Sequence, residues 1–230
     1  MLKAELHTHI HGDPIDSFIK YTAYDLIDNA KEKGYDVLAI TCHNKFYWDE
    51  KVNSYAKSKN MVLIPGIEKN IEGKHTLIYN CPKDVEKVNN FKQLYEFKKK
   101  YPEILIIAAH PNHKDTSCHG RNILKHFDLF DAWEYNFFWT KGLNVNNKTL
   151  RWARKYKKPL VGNSDVHDLY YFGTTYSLID AERNVDSVLS AIRQGNVTVK
   201  SRPLSKKVFF RIMYKVITGK TKLLLYGHVD

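Results

Sequence analysis

The sequence is poor in the features that staple a small fold or carry it through a lipid bilayer. Its three cysteines, Cys42, Cys81 and Cys118, are too few and too far apart for a disulfide framework, and none forms a CxxC metal knuckle. No apolar run approaches the ~18 residues of a spanning helix, and the first residues lack the basic-then-apolar pattern of a leader. There is no internal repeat, no low-complexity stretch and no Pro/Gly/Ser-rich linker dividing the chain. Acid is in short supply: 25 Asp and Glu stand against 36 Lys and Arg, a net charge of +11. These absences exclude a disulfide-stapled secreted scaffold and a membrane-spanning protein, and a reducing cytoplasm is the expected compartment. The charge favours anionic partners, namely phosphate esters, nucleic acid or an acidic membrane surface.

What is present is alternation. Short, continuously apolar runs (Val37–Ile40, Met61–Ile64, Ile104–Ala109, Leu160–Gly162) alternate with stretches that repeat at helical spacing. Phe18, Ile19, Thr22, Ala23, Leu26, Ile27 and Ala30 predict one helix, entered at Pro14 and stopped at Gly34. Others are expected over 49–59, 84–100, 122–130, 144–157 and 186–194. Continuous apolar strands separated by helices predict a parallel α/β architecture. The expected organisation is a single domain over 1–200, with 201–230 as a basic amphipathic helix and tail packed on it.

The polar residues carry the chemistry by their position. His7 and His9 leave one opening strand at i, i+2 spacing and therefore on one face. His43, Glu68, His110, Glu134, Asp165 and His167 each follow or end an apolar run, the edge at which parallel α/β folds build their sites. Asp165 and His167 repeat the i, i+2 spacing. Imidazole and carboxylate without thiolate suit Zn, Mn or Fe in an open catalytic site. So many donors exceed the needs of one ion, which implies two or three ions and metal-assisted hydrolysis.

Taken in order, the motifs resemble those of the PHP (polymerase and histidinol phosphatase) family of metal-dependent phosphoesterases. Glu5-Leu6-His7-Thr8-His9, Ala39-Ile40-Thr41-Cys42-His43-Asn44 and Pro65-Gly66-Ile67-Glu68 with His75 correspond to its early motifs. Ala109-His110-Pro111, Trp133-Glu134-Tyr135-Asn136 and Ser164-Asp165-Val166-His167 correspond to the later ones. The resemblance, over roughly 1–200, implies a distorted (β/α)7, TIM-like barrel and hydrolysis of a phosphate mono- or diester by a metal-bridging hydroxide at a trinuclear site. It implies His7, His9, Glu68 and Asp165 on one ion, Asp13, His43 and His167 on a second, and Glu68, His75 and His110 on a third. Glu68, Asp165 and His167 are the residues on which catalysis is expected to rest, and Glu134 is expected behind the ligands.

Three departures from the family pattern bear on this. Glu5 stands where Asp is usual, Cys42 stands where Asp precedes the histidine, and the interval after His9 is one residue short. His11 continues the i, i+2 series and is thus a rival to Asp13, although Gly12 suggests that the chain turns there. Cys42 and Glu5 are also the support for a catalytically inactive metal-binding module, and the charge is the support for an exonuclease-like activity on nucleic acid ends. Histidinol phosphate is one substrate the family name offers, with nothing in the chain selecting it.

Substrate-side candidates are Lys45, Lys114 and Arg121, with Tyr47, Trp48 and Lys69 beside them; an arginine can grip a phosphate with two parallel hydrogen bonds. His113 and His119 read as loop residues. Phe137-Phe138-Trp139 reads as core, or else as a wall against which a base stacks. From Arg202 onward seven basic residues face the single acid Asp230. Leu204, Val208, Phe209, Ile212, Met213, Val216 and Ile217 recur there at helical spacing, which predicts a helix closing the barrel with its lysines outward. Docking on a membrane surface or on nucleic acid is the lesser alternative. The expected partner is a small-molecule phosphate ester.

Overall fold

The structure is a computed structural model and describes residues 1–113 and 116–217. In chain order its elements are β1 (Leu2–Glu5), α1 (Ala23–Glu32), β2 (Val37–Ile40), α2 (Glu50–Ser58), β3 (Val62–Ile71) and β4 (Lys74–Tyr79). A 3-10 turn (Lys83–Lys87), α3 (Phe91–Lys100), β5 (Leu105–Ala108), α4 (Asn122–Lys125) and β6 (Ala132–Asn136) follow. The small hairpin β7 (Trp139–Thr140) and β8 (Leu143–Asn144) leads to α5 (Asn147–Tyr156) and β9 (Leu160–Asn163). The described chain finishes with β10 (Thr175–Ile179), α6 (Val185–Gln194), β11 (Val197–Ser201) and α7 (Lys206–Ile217).

Nine strands form one sheet in the order β11-β10-β1-β2-β3-β4-β5-β6-β9. β1, β2 and β3 are parallel to one another, as are β5, β6 and β9. β4 and β10 run against their neighbours, which is the distortion in an otherwise parallel TIM-like barrel. Alternation along each strand divides the apolar side chains between two layers. Val37 and Ala39 join Leu6, Ile64, Tyr79, Ile107 and Val161 in one core cluster. Leu38 and Ile40 turn the other way, against Leu26, Ile27 and Ala30 of α1 and Val52 and Ala56 of α2. Each such Leu or Ile contributes roughly 1.5–3 kcal/mol by leaving water.

The two ends of the sheet meet at a seam held by side chains. Gly162 N on β9 donates to Ser177 Oγ on β10 (2.9 Å), which donates back to Gly162 O (3.1 Å), and Ser164 Oγ donates to Thr175 O (2.6 Å). A Cβ on Gly162 would lie 2.7 Å from Val199 Cγ1 and 3.0 Å from Tyr176 O. The absence of a side chain is what lets the barrel nearly close.

Several boundaries differ from the sequence reading. The first helix begins at Ala23, nine residues beyond Pro14, with Thr22 and Asp25 forming a reciprocal capping box. The preceding residues form a loop: Asp13 Oδ1 accepts from Ile15 N (2.9 Å) and Asp16 N (3.1 Å) as an N-cap would, but the chain then turns, with Ile19 N donating to Asp16 O (3.0 Å). The helix expected over 84–100 splits into the 3-10 turn and α3, restarted where Asn90 caps Gln93 N. The expected helix over 122–130 shortens to one turn. β3 runs to Ile71 and folds back as β4, so His75 lies at the start of an antiparallel strand on the same rim as Glu68.

Candidate metal centre

The two i, i+2 pairs are joined to each other by backbone. Thr8 and Val166 form a parallel bridge in which His9 N donates to Val166 O and Val166 N donates to His7 O, both 3.0 Å. This places His7, His9, Asp165 and His167 around one space, with the His9 ring stacked 4.1 Å from that of His167. A second parallel bridge joins His43 to Glu68 at the ends of β2 and β3, and the His43 ring also stacks on His9, at 4.4 Å.

Glu68, 1% exposed, is the hub of this arrangement. Its Oε2 lies 3.1 Å from His7 Nε2, 3.4 Å from His9 Nε2 and 3.0 Å from His43 Nε2. Its Oε1 lies 2.8 Å from His75 Nδ1 and 3.5 Å from His110 Nε2. Asp165 Oδ1 approaches His7 Nε2 at 3.3 Å, His167 Nδ1 at 3.4 Å and His9 Nε2 at 3.6 Å. These are close approaches between donor atoms, not satisfied hydrogen bonds. His7 Nε2, His9 Nε2, Asp16 Oδ2, Glu68 Oε1 and Asp165 Oδ1 are all buried without a hydrogen-bond partner. Buried polar atoms are normally paired, and five unpartnered imidazole and carboxylate atoms converging in one region suit a cation.

Three overlapping groups have donor atoms within 4.8 Å of one another: His9, Asp16, His43 and His167; His7, His9 and Glu68; His43, Glu68 and His75. Asp16 is the residue the sequence reading did not single out. Its Oδ2 stands 2.9 Å from His167 Nε2 and 3.2 Å from His43 Nδ1. The Asp13 carboxylate, by contrast, is taken up by protein donors. Besides the amides of Ile15 and Asp16 it meets His9 Nδ1 (2.9 Å) and accepts from His43 N (2.9 Å). His11 is exposed, with Nδ1 3.2 Å from Ile19 O and away from the cluster. The Thr22–Asp25 capping box was the sequence signal that could have revealed Asp16, because it releases 13–21 from the helix.

A layer of polar residues behind the donors fixes their orientation. Glu134 Oε1 lies 2.9 Å from His7 Nδ1 and accepts from Asn163 Nδ2 (2.8 Å), while its Oε2 accepts from His110 N (2.7 Å). With Nδ1 held by Glu134 or Asp13, His7 and His9 present Nε2 inward. Glu5 accepts from the amides of Ser164 (2.9 Å) and His7 (3.2 Å), so its longer side chain ties β1 to the 164–167 turn. Burial holds its carboxyl well above the usual range. Cys118 Sγ is 3.3 Å from His110 Nδ1. Cys42 packs with Ile10, Ile40 and Val52, and burial pushes its thiol up to about 12, so a neutral apolar group stands there.

The electrostatics are those of a mutually neutralising cluster. Burial opposes ionisation of Glu68 and Asp165, but the surrounding histidines hold both well below the usual carboxylate range. Burial equally opposes protonation of His7 and His43, and the carboxylates override it, holding both well above the usual imidazole value. Two cluster residues sit in the left-handed region of backbone space, His110 at φ 27° and Asp165 at φ 46°. Such conformations concentrate where a site dictates the geometry.

The remaining candidates lie further out. Lys45 is exposed, its Nζ 3.3 Å from Gly12 O beside the site loop, and Arg121 is exposed at the start of α4. Lys114 lies outside the described residues. Lys69 turns away from the cluster to Asn89 Oδ1 (3.0 Å). His119 is buried with Nε2 2.8 Å from His75 O, and burial pushes it down to about 3. Phe137 is core, stacked on Tyr171 at 4.5 Å, and Phe138 packs on Phe209, so this aromatic run supports α7 and leaves no free stacking wall.

Fold and site together define a barrel whose clustered imidazole and carboxylate donors can hold divalent metal. Residues 144–197 match the family model described as PHP-associated. No curated protein matches the chain in sequence. Among solved structures, it resembles a two-domain protein containing a predicted PHP-like metal-dependent phosphoesterase from Bacteroides vulgatus. The TM-score is 0.69 and the identity 16%, over 93% of this chain and 69% of that one. PsfC from Pseudomonas syringae gives a TM-score of 0.61 at 13% identity, over 96% of this chain and 99% of that one. An amidohydrolase from Chromobacterium violaceum, solved with bound sulfate and no metal, gives 0.51 at 12% identity, over 71% and 87% of the two chains. The matched segment and the shared fold make the chain similar to PHP-domain proteins. No helix among the described residues is long and apolar enough to cross a membrane.

Proposed function

We propose that the protein is a metal-dependent phosphoesterase that hydrolyses a small phosphate mono- or diester at a site for up to three divalent ions, Zn, Mn or Fe. The observation that carries this reading is the set of five buried, unpartnered donor atoms facing one space. His7, His9, Glu68 and Asp165 would hold one ion. Asp16, His43 and His167 would hold a second, with Asp13 orienting His9 and His43 from behind. Glu68, His75 and His110 would hold the third. His43 sits between two groups, Nδ1 toward Asp16 and Nε2 toward Glu68, and a single imidazole serves one of them at a time.

Ions so held lower the pKa of a bound water and neutralise phosphoryl oxygens. The chain's own contribution is position. The Thr8–Val166 and His43–Glu68 bridges fix the donors, and Glu134 and Asp13 fix which ring nitrogen faces inward. Lys45 and Arg121, both cationic on this side of the barrel, would meet the substrate's charge. The relative from Bacteroides vulgatus, described as PHP-like and metal-dependent, supports the reaction class.

The test is a substrate screen. Purified protein reconstituted with Mn or Zn should release phosphate from a generic ester and from members of a nucleotide and sugar phosphate panel, and His167→Ala should not. Silence across metals and panel would reject the reading. Preference for oligonucleotides, with steep salt dependence, would replace it with an end-trimming nuclease.

A further inference from the structure

The sequence predicts a C-terminal helix with an apolar stripe against the barrel and its lysines outward; on α7, Lys206 and Lys207 are exposed. Leu204 and Ile212 are buried, and Val208 and Phe209 pack with them against Phe137, Phe138 and Tyr171. The opposite face is not simply polar. Phe210 is 66% exposed and Tyr214 60% exposed, and both lie on the face that carries Lys206, Lys207 and Arg211. These five positions, spaced i, i+1, i+4, i+5 and i+8, form one stripe along the helix. Arg211 reaches back to Asp168 (3.4 Å) and lies over the ring of Tyr170, itself 47% exposed, which extends the aromatic surface onto the barrel.

We propose that this outer face of α7 docks the protein on an anionic phospholipid surface, with Phe210 and Tyr214 entering the headgroup layer and Lys206, Lys207 and Arg211 meeting lipid phosphates. Exposed aromatic rings cost free energy in water and are favoured at the lipid boundary, where Tyr in particular is at home. The charge is complementary: from Arg202 to Asp230 seven bases stand against one acid, within a chain of net charge +11. Residues 218–230 continue the same chemistry in sequence, with Lys220 and Lys222 followed by Leu223-Leu224-Leu225-Tyr226. Apolar leucines and a phenylalanine with no polar atom suit a lipid boundary better than a nucleic acid, whose phosphates reward the lysines alone.

Flotation of the full chain with vesicles tests this. Phosphatidylcholine vesicles containing phosphatidylglycerol should carry the protein to the top of the gradient, vesicles of phosphatidylcholine alone should not, and high salt should release it. Each basic residue near an anionic surface is worth about fivefold in partitioning, so K206E/K207E should lower binding by more than tenfold. Phe210→Asp should lower it comparably with thermal stability little changed, because that ring is mostly exposed and meets the core only through Phe209. Equal flotation on neutral vesicles, or none on anionic ones, overturns the proposal. So does binding of an oligonucleotide, or a dimer seen by light scattering, that these substitutions abolish while vesicle binding is absent.

Discussion

Residues 7–9 and 165–167 carry the same pattern, two metal-type donors separated by one residue, and reach the same space in different ways. The first is an extension of β1, whose alternation alone puts His7 and His9 on one face. The second leaves β9 through Asp165 in the left-handed region at φ 46°, and the turn is held by Ser164 Oγ, Glu5 and the Tyr171 hydroxyl. One segment needs only strand geometry; the other is shaped by tertiary hydrogen bonds. Their middle residues, Thr8 and Val166, then bridge, so that neither segment is a site without the other. Asp13 and Asp16 make the same point on a shorter scale. Three residues apart and the same residue type, one is consumed in orienting histidines while the other leaves an oxygen unpartnered toward His167.

The largest effect is expected at the hub between the two segments. Glu68→Ala should abolish the proposed hydrolysis, by about a thousandfold or more, and lower metal content in elemental analysis, since Glu68 reaches five imidazoles. A variant that keeps its full complement of metal would deny Glu68 that place.

Next comes the pair that separates holding from orienting. Asp16→Asn should cost one bound ion per chain, whereas Asp13→Asn should keep the count and weaken affinity by about 10–100-fold. The reverse outcome would restore Asp13 as the donor. Glu134→Gln, behind His7, should resemble Asp13→Asn, lowering affinity by about 10–100-fold with the fold intact by circular dichroism.

The seam beside the second segment gives a smaller effect, on stability. Gly162→Val should force β9 away from Val199 and Tyr176 O, costing about 1–3 kcal/mol and lowering Tm by several degrees. An unchanged Tm would mean that the seam is looser than its hydrogen bonds indicate. The smallest signal is in protons. Against the opposing effect of burial, the carboxylates hold His7, His43 and His167 above their usual value, which favours protonated rings and sets proton release against ion binding. Calorimetric heats of metal binding should therefore vary with buffer ionisation enthalpy. Heats that do not vary would contradict the assignment.

Much of this was legible in the linear chain. The apolar runs gave a parallel α/β architecture, the family resemblance implied the barrel, and the motifs around His7, His9, His43, His75 and His110 named the five imidazoles that meet Glu68. Local patterns settle such matters because strand alternation and strand-end placement are short-range properties. The first helix was placed too early for a related reason: the apolar spacing from Phe18 is helical, but the reciprocal cap of Thr22 and Asp25 starts the helix only at Ala23. Phe210 and Tyr214 were passed over because the apolar positions of α7 predict one buried stripe, and only packing decides which side faces the barrel.

The sequence by itself determined the fold class, the chemistry of the donors and their order along the chain. Tertiary structure decided which donors share a space, which aspartate is left unpartnered, and how an α/β sheet with two reversed strands closes at a glycine. Those outcomes depend on partners far apart in the chain: Thr8 bridges Val166, Asp13 accepts from His43 N, and Gly162 pairs with Ser177. Hydrogen-bond partners at that separation leave no local imprint on composition or spacing.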